Sequence, residues 1–307
     1  MKQLKIAVTG YSGFIGTHLV PFLIQAGHHV IQINLRTNWE QDFPLDIDCL
    51  VHLAGKAHDL HGSAAAEEFF SVNTDLTKKV YEYFLKSQGH TFLHVSSVAA
   101  VQEQTMNQVL TESTLPEPRS PYGKSKLAAE EFLLSQSGKN DKKVIILRPA
   151  MVHGAGDKGN LHLLYKIVSK GVPYPFSAFS NKRSFLSIDN FCFAVEKMLI
   201  SKTIESGIYN LVDDEPISTN DIVAIIGTKL GKPVIQLKIP KMLIQALGKI
   251  GDLIKLPINS ARIAKLTSDY VVSNTKIKEA LGITILPVKA IDGISKTIDS
   301  FTKKKQC

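Results

Sequence analysis

The sequence predicts an α/β fold: a doubly wound, mostly parallel sheet with a smaller α/β unit toward the C-terminus. Two observations carry this. Short apolar runs near residues 5–9, 29–35, 48–55, 91–95, 143–147 and 207–212 alternate with longer segments whose apolar residues recur at helical spacing. Such alternation marks strand–helix–strand crossovers, whose strands are buried on both faces. The first run, Lys5-Ile6-Ala7-Val8-Thr9, ends in Gly10-Tyr11-Ser12-Gly13-Phe14-Ile15-Gly16, and Leu19, Val20, Phe22 and Leu23 then mark a helix.

Composition bounds the function. The chain has 307 residues, 44% apolar and 21% charged, which fits a globular protein with a large core. No apolar run reaches the ~18 residues of a membrane span. A strand entered at once is not a signal peptide. Cys49, Cys192 and Cys307 are scattered, form no Cys-x-x-Cys pair and suggest no metal site, so a reducing, cytoplasmic setting is expected. The net charge of +8 suits an anionic substrate. The basic residues are dispersed rather than interleaved with aromatics, which argues against nucleic acid.

In the glycine turn, Gly10 allows a sharp bend, Gly13 a close backbone approach to a pyrophosphate, and Gly16 tight helix–strand packing. The helix start then offers free N–H groups and a positive dipole end to phosphates. Downstream, the strand Thr91 to Val95 delivers Ser96 and Ser97 to the carboxyl edge of the sheet. A helix starting at Pro121 and running to about Ser135 places Tyr122 and Lys126 on one face, four residues apart. A free phenol, with a pKa of about 10, is a poor base near neutral pH, and a neighbouring ammonium lowers that value.

The Gly-x-x-Gly-x-x-Gly turn, the Ser strand and the Tyr122-x-x-x-Lys126 pair together resemble the extended short-chain dehydrogenase/reductases. The match extends along nearly the whole chain to the nucleotide-sugar epimerases and reductases, of the UDP-glucose 4-epimerase type. The resemblance implies a Rossmann domain at 1–149 plus about 184–212, and a nucleotide-sugar-binding domain at about 150–183 plus 213–307. It implies Ser97, Tyr122 and Lys126 as catalytic residues. Gly10, Ser12, Gly13, Phe14, Ile15, Gly16, Leu53, Ala54, Gly55, Tyr122, Lys126, Pro149 and Val152 would contact an NAD(P) cofactor.

The second strand, His29 to Leu35, ends with Asn34 where an acidic residue would hold the ribose of NAD, and Arg36 follows. Asn34 removes a charge that would repel a 2′-phosphate and Arg36 offers it a bidentate partner, so NADP(H) is expected over NAD(H). Only Thr37 to Ile47 separate Arg36 from the next strand, too few for the strand–helix unit that relatives carry there. Lys56, His58 and His61 form a polar loop facing the substrate. Ala64 to Lys86 reads as one long helix, and by resemblance its Asn73 braces the active-site strand. Relatives that dehydrate sugars carry an Asp-Glu pair after the catalytic hydroxyl; Val98 and Ala99 stand here, so dehydration is set aside.

By resemblance Arg148 to Gly154 lies beside the nicotinamide, Asn160 and Leu161 cover the uracil, and Arg183 reaches the diphosphate, with Arg262 a second such contact. Ser218 to Asp221 caps a helix running through Lys229. Leu243, Ala246, Leu247, Ile250, Leu253 and Ile254 recur at helical spacing with Lys241, Lys249 and Lys255. Packing within the C-terminal unit is the expectation, with a peripheral membrane surface the alternative. Val271 to Leu281 resembles the family's closing strand and helix.

The resemblance implies hydride transfer at C4 of a UDP-hexose as the chemistry. Asn34 and Arg36, with the rather short chain, favour a reductase, and the resemblance implies UDP-4-keto-6-deoxy-(N-acetyl)hexosamines as its substrates. The alternatives are a UDP-glucose or UDP-N-acetylglucosamine 4-epimerase with retained NAD, or an NADP-binding redox-sensing regulator. A homodimer through the helices at 64–86 and 121–135 is expected.

Overall fold

A computed structural model describes residues 3–57, 66–103, 108–138, 141–253 and 259–303. Six parallel strands form the central sheet: β1 (Lys5–Thr9), β2 (His29–Ile33), β3 (Cys49–His52), β4 (Thr91–Val95), β5 (Lys143–Pro149) and β8 (Gly207–Leu211). Their spatial order is β2-β1-β3-β4-β5-β8. The order reverses between β1 and β3, which is where open α/β sheets form their ligand crevice. Register sets that crevice. Thr9 stands beside both Ile33 and His52, His52 beside His94, and Val95 beside Leu147. The turns after β1, β3 and β4 therefore emerge at one edge.

Both faces of the sheet are buried, as the unbroken apolar runs require. On one face α1 (Gly16–Gln25) and α6 (Ile188–Ile200) bring Leu19, Leu23, Phe191 and Val195 onto Ile6, Val8, Val51, Leu93 and Leu147. On the other, α3 (Leu76–Lys86) and α4 (Pro121–Gln136) bring Val80, Tyr81, Phe84 and Leu133 onto Ala7, Leu50, Phe92, Val144 and Ile146. The β5 residues 144–147 alternate between these two cores, the period of two that a pleated strand imposes.

The shortened segment after β2 contains no strand or helix. Its Trp39, Phe43 and Ile47 are buried in the second core. Trp39 and Phe43 pack edgewise around Tyr83, with ring centroids 5.0 and 5.7 Å away. Three apolar side chains thus cover the flank that a strand–helix unit would occupy, and β2 becomes the sheet's edge.

The chain then leaves the sheet through β6 (Met151–His153), which pairs in parallel with β7 (Phe185–Ser187). Around this pair α5 (Asn160–Ser169), α7 (Thr219–Leu230) and α11 (Ala290–Lys303) enclose Leu161, Tyr165, Ile222, Ile226, Ile294 and Ile298. The α7 start is the expected one: Ser218 and Asp221 form a reciprocal capping box. Val272 forms only an isolated bridge with Leu110 rather than a closing strand. After it, α10 (Thr275–Leu281) returns to the sheet, where Ile277 joins the first core and Lys276 Nζ donates to Ile208 O at 2.8 Å.

The expected long helix at 64–86 is not uniform. α2 (Ala66–Phe70) and α3 are joined by one wider π turn, Ser71–Asp75. The expected inward packing of the helix near 241–256 is also corrected. α8 (Lys241–Leu253) meets α9 (Ser260–Thr267) through Ile244 and Gly248, while Leu243, Leu247, Ile250 and Leu253 stay exposed.

Candidate active site

The glycine turn closes the carboxyl end of β1. Gly10 has φ +68°, and a Cβ there would lie 2.6 Å from the Ala54 nitrogen. A Cβ on Gly16 would lie 2.5 Å from Gly10 O and Tyr11 Cα. The turn, the Leu53–Gly55 segment and the first turn of α1 thus fit only with glycine at these two positions. Ser12 and Gly13 are exposed at the turn's crest, and Phe14 and Ile15 are partly so. His18 Nε2 reaches Ala155 O at 2.8 Å, and a Cβ on Gly154 would lie 3.6 Å from Phe14 Cζ. The segment after β5, with Pro149 buried and Val152 partly buried, therefore returns beside the glycine turn. This cradle of backbone too close for side chains is what a dinucleotide's diphosphate needs.

The Ser97 hydroxyl lies near enough to the Tyr122 phenol to favour its ionised form. Ser97 caps a short 3-10 turn, Val98–Ala100, accepting from Ala99 N at 3.2 Å. Ser96 points elsewhere and donates to Glu130. Tyr122 sits in the first turn of α4, which Pro121 and the Ser120 cap initiate; Ser120 Oγ accepts from Gly123 N at 3.0 Å. Burial raises the Tyr122 pKa, the Ser97 hydroxyl opposes the rise, and the Glu103 carboxylate adds to it. Lys126 is not among these causes.

Lys126 is buried, and its Nζ donates to Val95 O at 3.0 Å. Desolvation lowers its pKa to about 8, against the pull of Glu130. A Cβ on Gly55 would lie 3.0 Å from Lys126 Nζ and from Asn73 Oδ1, so the Leu53–Gly55 segment passes directly over this ammonium. Behind it, Arg148 Nε forks onto both Glu130 oxygens at 3.0 and 3.1 Å in a fully enclosed pair.

A continuous hydrogen-bonded chain holds these parts together. Thr9 Oγ1 accepts from Ala54 N at 3.4 Å and meets His52 Nδ1 at 2.7 Å. His52 Nε2 meets Thr77 Oγ1 at 2.9 Å, and Thr77 donates to Asn73 O at 2.8 Å. These roles require a neutral His52 with its proton on Nε2, and burial lowers its pKa to about 3. Asn73, carried on the π turn, then accepts from Lys56 N at 2.8 Å and donates to Lys56 O at 3.0 Å and Ser125 Oγ at 2.9 Å.

Other expected residues are dispersed. Asn34 folds back on its own turn, accepting from Arg36 N at 3.2 Å, and both residues are exposed. Lys56 pairs with Glu68 rather than standing open, with its ammonium 5.6 Å from the Phe69 ring centroid. Phe69 in turn meets Tyr122 edgewise at 6.4 Å. Asn160 is exposed at the start of α5, whereas the Leu161 side chain is buried in the α5/α7/α11 core. Arg183 is partly buried 5.8 Å from the Tyr270 ring, and burial lowers its pKa. Arg262 belongs to α9, and His58 and His61 lie outside the described residues. Among the described residues no cluster of His, Cys, Asp or Glu suits a metal.

Glu103 was not apparent from sequence. It accepts from Arg119 N at 3.1 Å and Ser120 N at 2.7 Å and receives the Ser120 hydroxyl, tying its loop to the start of α4. Next to it, Gln102 O accepts from Tyr270 Oη at 2.6 Å. No spacing pattern connects a loop residue to a helix cap 17 positions away.

The model of the NAD dependent epimerase/dehydratase family matches residues 6–211. A UDP-glucose 4-epimerase of Vibrio cholerae is 28% identical across 97% of this chain and 95% of its own. A GDP-6-deoxy-D-mannose reductase of Pseudomonas aeruginosa is 31% identical, over 50% of this chain and 54% of its own. The solved UDP-glucuronic acid 4-epimerase of Bacillus cereus, in complex with NAD, superimposes with TM-score 0.75 at 21% identity, over 98% of this chain and 99% of that one.

These findings correct the expected preference for NADP(H). The family is NAD dependent and the B. cereus structure holds NAD. The local structure agrees: Arg36 stands exposed beyond β2 and the Asn34 carbonyl oxygen already accepts from the Arg36 N–H, so neither side chain is held in place for a 2′-phosphate. With the cradle, the hydroxyl pair and the end-to-end similarity in place, the chain belongs to the NAD dependent epimerase/dehydratase family and is an enzyme of the nucleotide-sugar epimerase and reductase type.

Proposed function

We propose that this protein is a 4-epimerase of a UDP-linked hexose that works with a retained NAD. The observation that carries the chemistry is the grouping of Ser97 with Tyr122, whose phenol the serine hydroxyl helps to ionise, one helical turn from the buried Lys126. The similarity to the V. cholerae 4-epimerase, which runs end to end, supports epimerisation. The expected reductase drew on Asn34 and Arg36 as an NADP(H) site, and that support falls away.

NAD, when bound, supplies a two-electron acceptor and donor at the sugar carbon. Gly10, Ser12, Gly13, Phe14, Ile15 and Gly16 would hold its diphosphate, with Leu53, Ala54, Gly55, Pro149 and Val152 along it. Lys126 keeps donor capacity beyond its one bond to Val95 O and would use it on ribose hydroxyls. Tyr122 takes the proton from the sugar 4-hydroxyl and returns it after the ring has presented its other face. Ser97 holds the same oxygen. The residues following Ser97 offer no carboxylate to remove a second proton, so the site stops at redox chemistry. Asn160 and Arg183 are the proposed contacts to the UDP portion, Arg183 through its planar fork.

A 4-keto sugar reductase is the second reading, favoured by the 31% identity to the P. aeruginosa reductase. Ser97, Tyr122 and Lys126 would do the same proton work in it. Nucleotide content separates the two. Protein purified without added nucleotide should release NAD on denaturation in near-stoichiometric amount. Protein that releases none, yet consumes reduced nicotinamide with a UDP-4-keto-6-deoxy sugar, would be a reductase.

A further inference from the structure

The helix α8 is turned inside out. Its single deeply buried large side chain, Ile244, is 4% exposed and packs with Phe179 and Ile263. Beside it, Gly248 lets α9 approach closely: a Cβ there would lie 2.9 Å from Ile263 Cδ1. The opposite side of the same helix carries Met242, Leu243, Ala246, Leu247, Ile250 and Leu253. At 100° per residue these six fill one arc of about 140° with no polar residue inside it. The five large ones run from 52% exposed at Ile250 to 83% at Leu253. A packed helix points its apolar stripe inward. Here the inner contacts are already made, so the outer stripe is surplus to folding, and a patch of this kind marks an interaction surface.

Charge identifies the occupant. Between Lys229, which pairs with Asp299, and Asp269 the sequence has Lys232, Lys238, Lys241, Lys249, Lys255, Arg262 and Lys265 against one acid, Asp252. Asp252 is itself engaged, accepting from Ser260 N at 3.1 Å. On α8 Lys249 borders the apolar arc, and the Lys241 ammonium stands 5.5 Å from the Phe179 ring centroid at its inner side. Exposed Lys232, in the turn after α7, and Lys238, three residues before α8, lie on the approach to the helix. A broad apolar face bordered by lysines is the pattern of a helix lying in a membrane interface. Basic residues add attraction to anionic headgroups. No described helix is long and apolar enough to cross a membrane, which leaves attachment to one leaflet. We infer that α8 docks this protein on an anionic lipid bilayer, with Met242, Leu243, Leu247, Ile250 and Leu253 inserted and the surrounding lysines on the headgroups.

The test is flotation of the full chain with vesicles containing phosphatidylglycerol, and in parallel with phosphatidylcholine alone. Wild type should float with the anionic vesicles and bind the neutral ones about tenfold less. Ile250→Glu with Leu253→Glu should abolish flotation, and Lys238→Glu with Lys249→Glu should weaken it about tenfold. These positions are exposed, and unchanged circular dichroism and melting will show the variants folded. Failure of folded wild type to float, or flotation unchanged in Ile250→Glu/Leu253→Glu, overturns the inference. So does a wild-type oligomer that the same pair of substitutions converts to monomer, since the face would then belong to a second copy.

Discussion

Asn73 Nδ2 donates to Ser125 Oγ across 2.9 Å, and this bond joins the π turn to the helix that carries Tyr122 and Lys126. The wider turn brings Asn73 between the Lys56 backbone and α4, where its amide serves both. A single inserted residue in a helix is a costly local feature that survives where it aims a side chain at a site. Asn73→Ala should leave the Lys56 amide and carbonyl without that partner and cost about 2–4 kcal/mol. Ser125→Ala should cost about 1 kcal/mol, and the double variant less than the sum, because the two residues share one bond. Chemical denaturation of the three variants measures this.

The Glu103 carboxylate raises the Tyr122 pKa. Removing the charge lowers the pH at which the phenol becomes a base. Glu103→Gln should therefore move the acidic limb of the kcat/KM profile to lower pH, with kcat at the plateau changed less than about tenfold. An unshifted limb would reduce Glu103 to a brace for the Ser120 cap.

Lys126 is charged but buried, with its pKa lowered to about 8. The unfolded chain holds the proton up to about pH 10.4, so the unfolded state binds more protons between these values. Stability should rise with pH in that window. In nucleotide-free protein, wild type should gain about 3 kcal/mol relative to Lys126→Met between about pH 7 and pH 10.5. Parallel pH-stability curves for the two proteins would show that Lys126 titrates normally.

Arg148 and Glu130 form a buried ion pair behind the site. Removing either partner alone leaves an isolated charge, at a cost of about 3–5 kcal/mol. Arg148→Ala and Glu130→Ala should each lower the melting temperature strongly. Arg148→Met with Glu130→Leu should recover much of the loss while leaving the Ser96 hydroxyl unpaired.

The sheet, the glycine turn and the Tyr122–Lys126 face were legible because each rests on local periodicity or on a steric need of glycine. The shortened unit after Arg36 was legible from length alone, but not that Trp39, Phe43 and Ile47 would cover the exposed flank. The π turn at Ser71–Asp75 was not, since apolar spacing barely changes across one extra residue. Glu103 acts through a helix cap distant in sequence, which no motif records. Arg36 misled because a charge read from sequence carries no information on what it faces. On α8 the spacing was read correctly, but periodicity locates a stripe without saying whether it points inward.

The most direct test of 4-epimerisation with retained NAD is conversion of UDP-glucose by the purified protein with no nucleotide added, followed by the anomeric proton signals. The substrate should approach an equilibrium mixture with UDP-galactose, or the equivalent for a UDP-N-acetylhexosamine. Turnover should fall by about a thousandfold in Tyr122→Phe, with NAD still retained. Folded, NAD-bearing protein that converts neither substrate would contradict it.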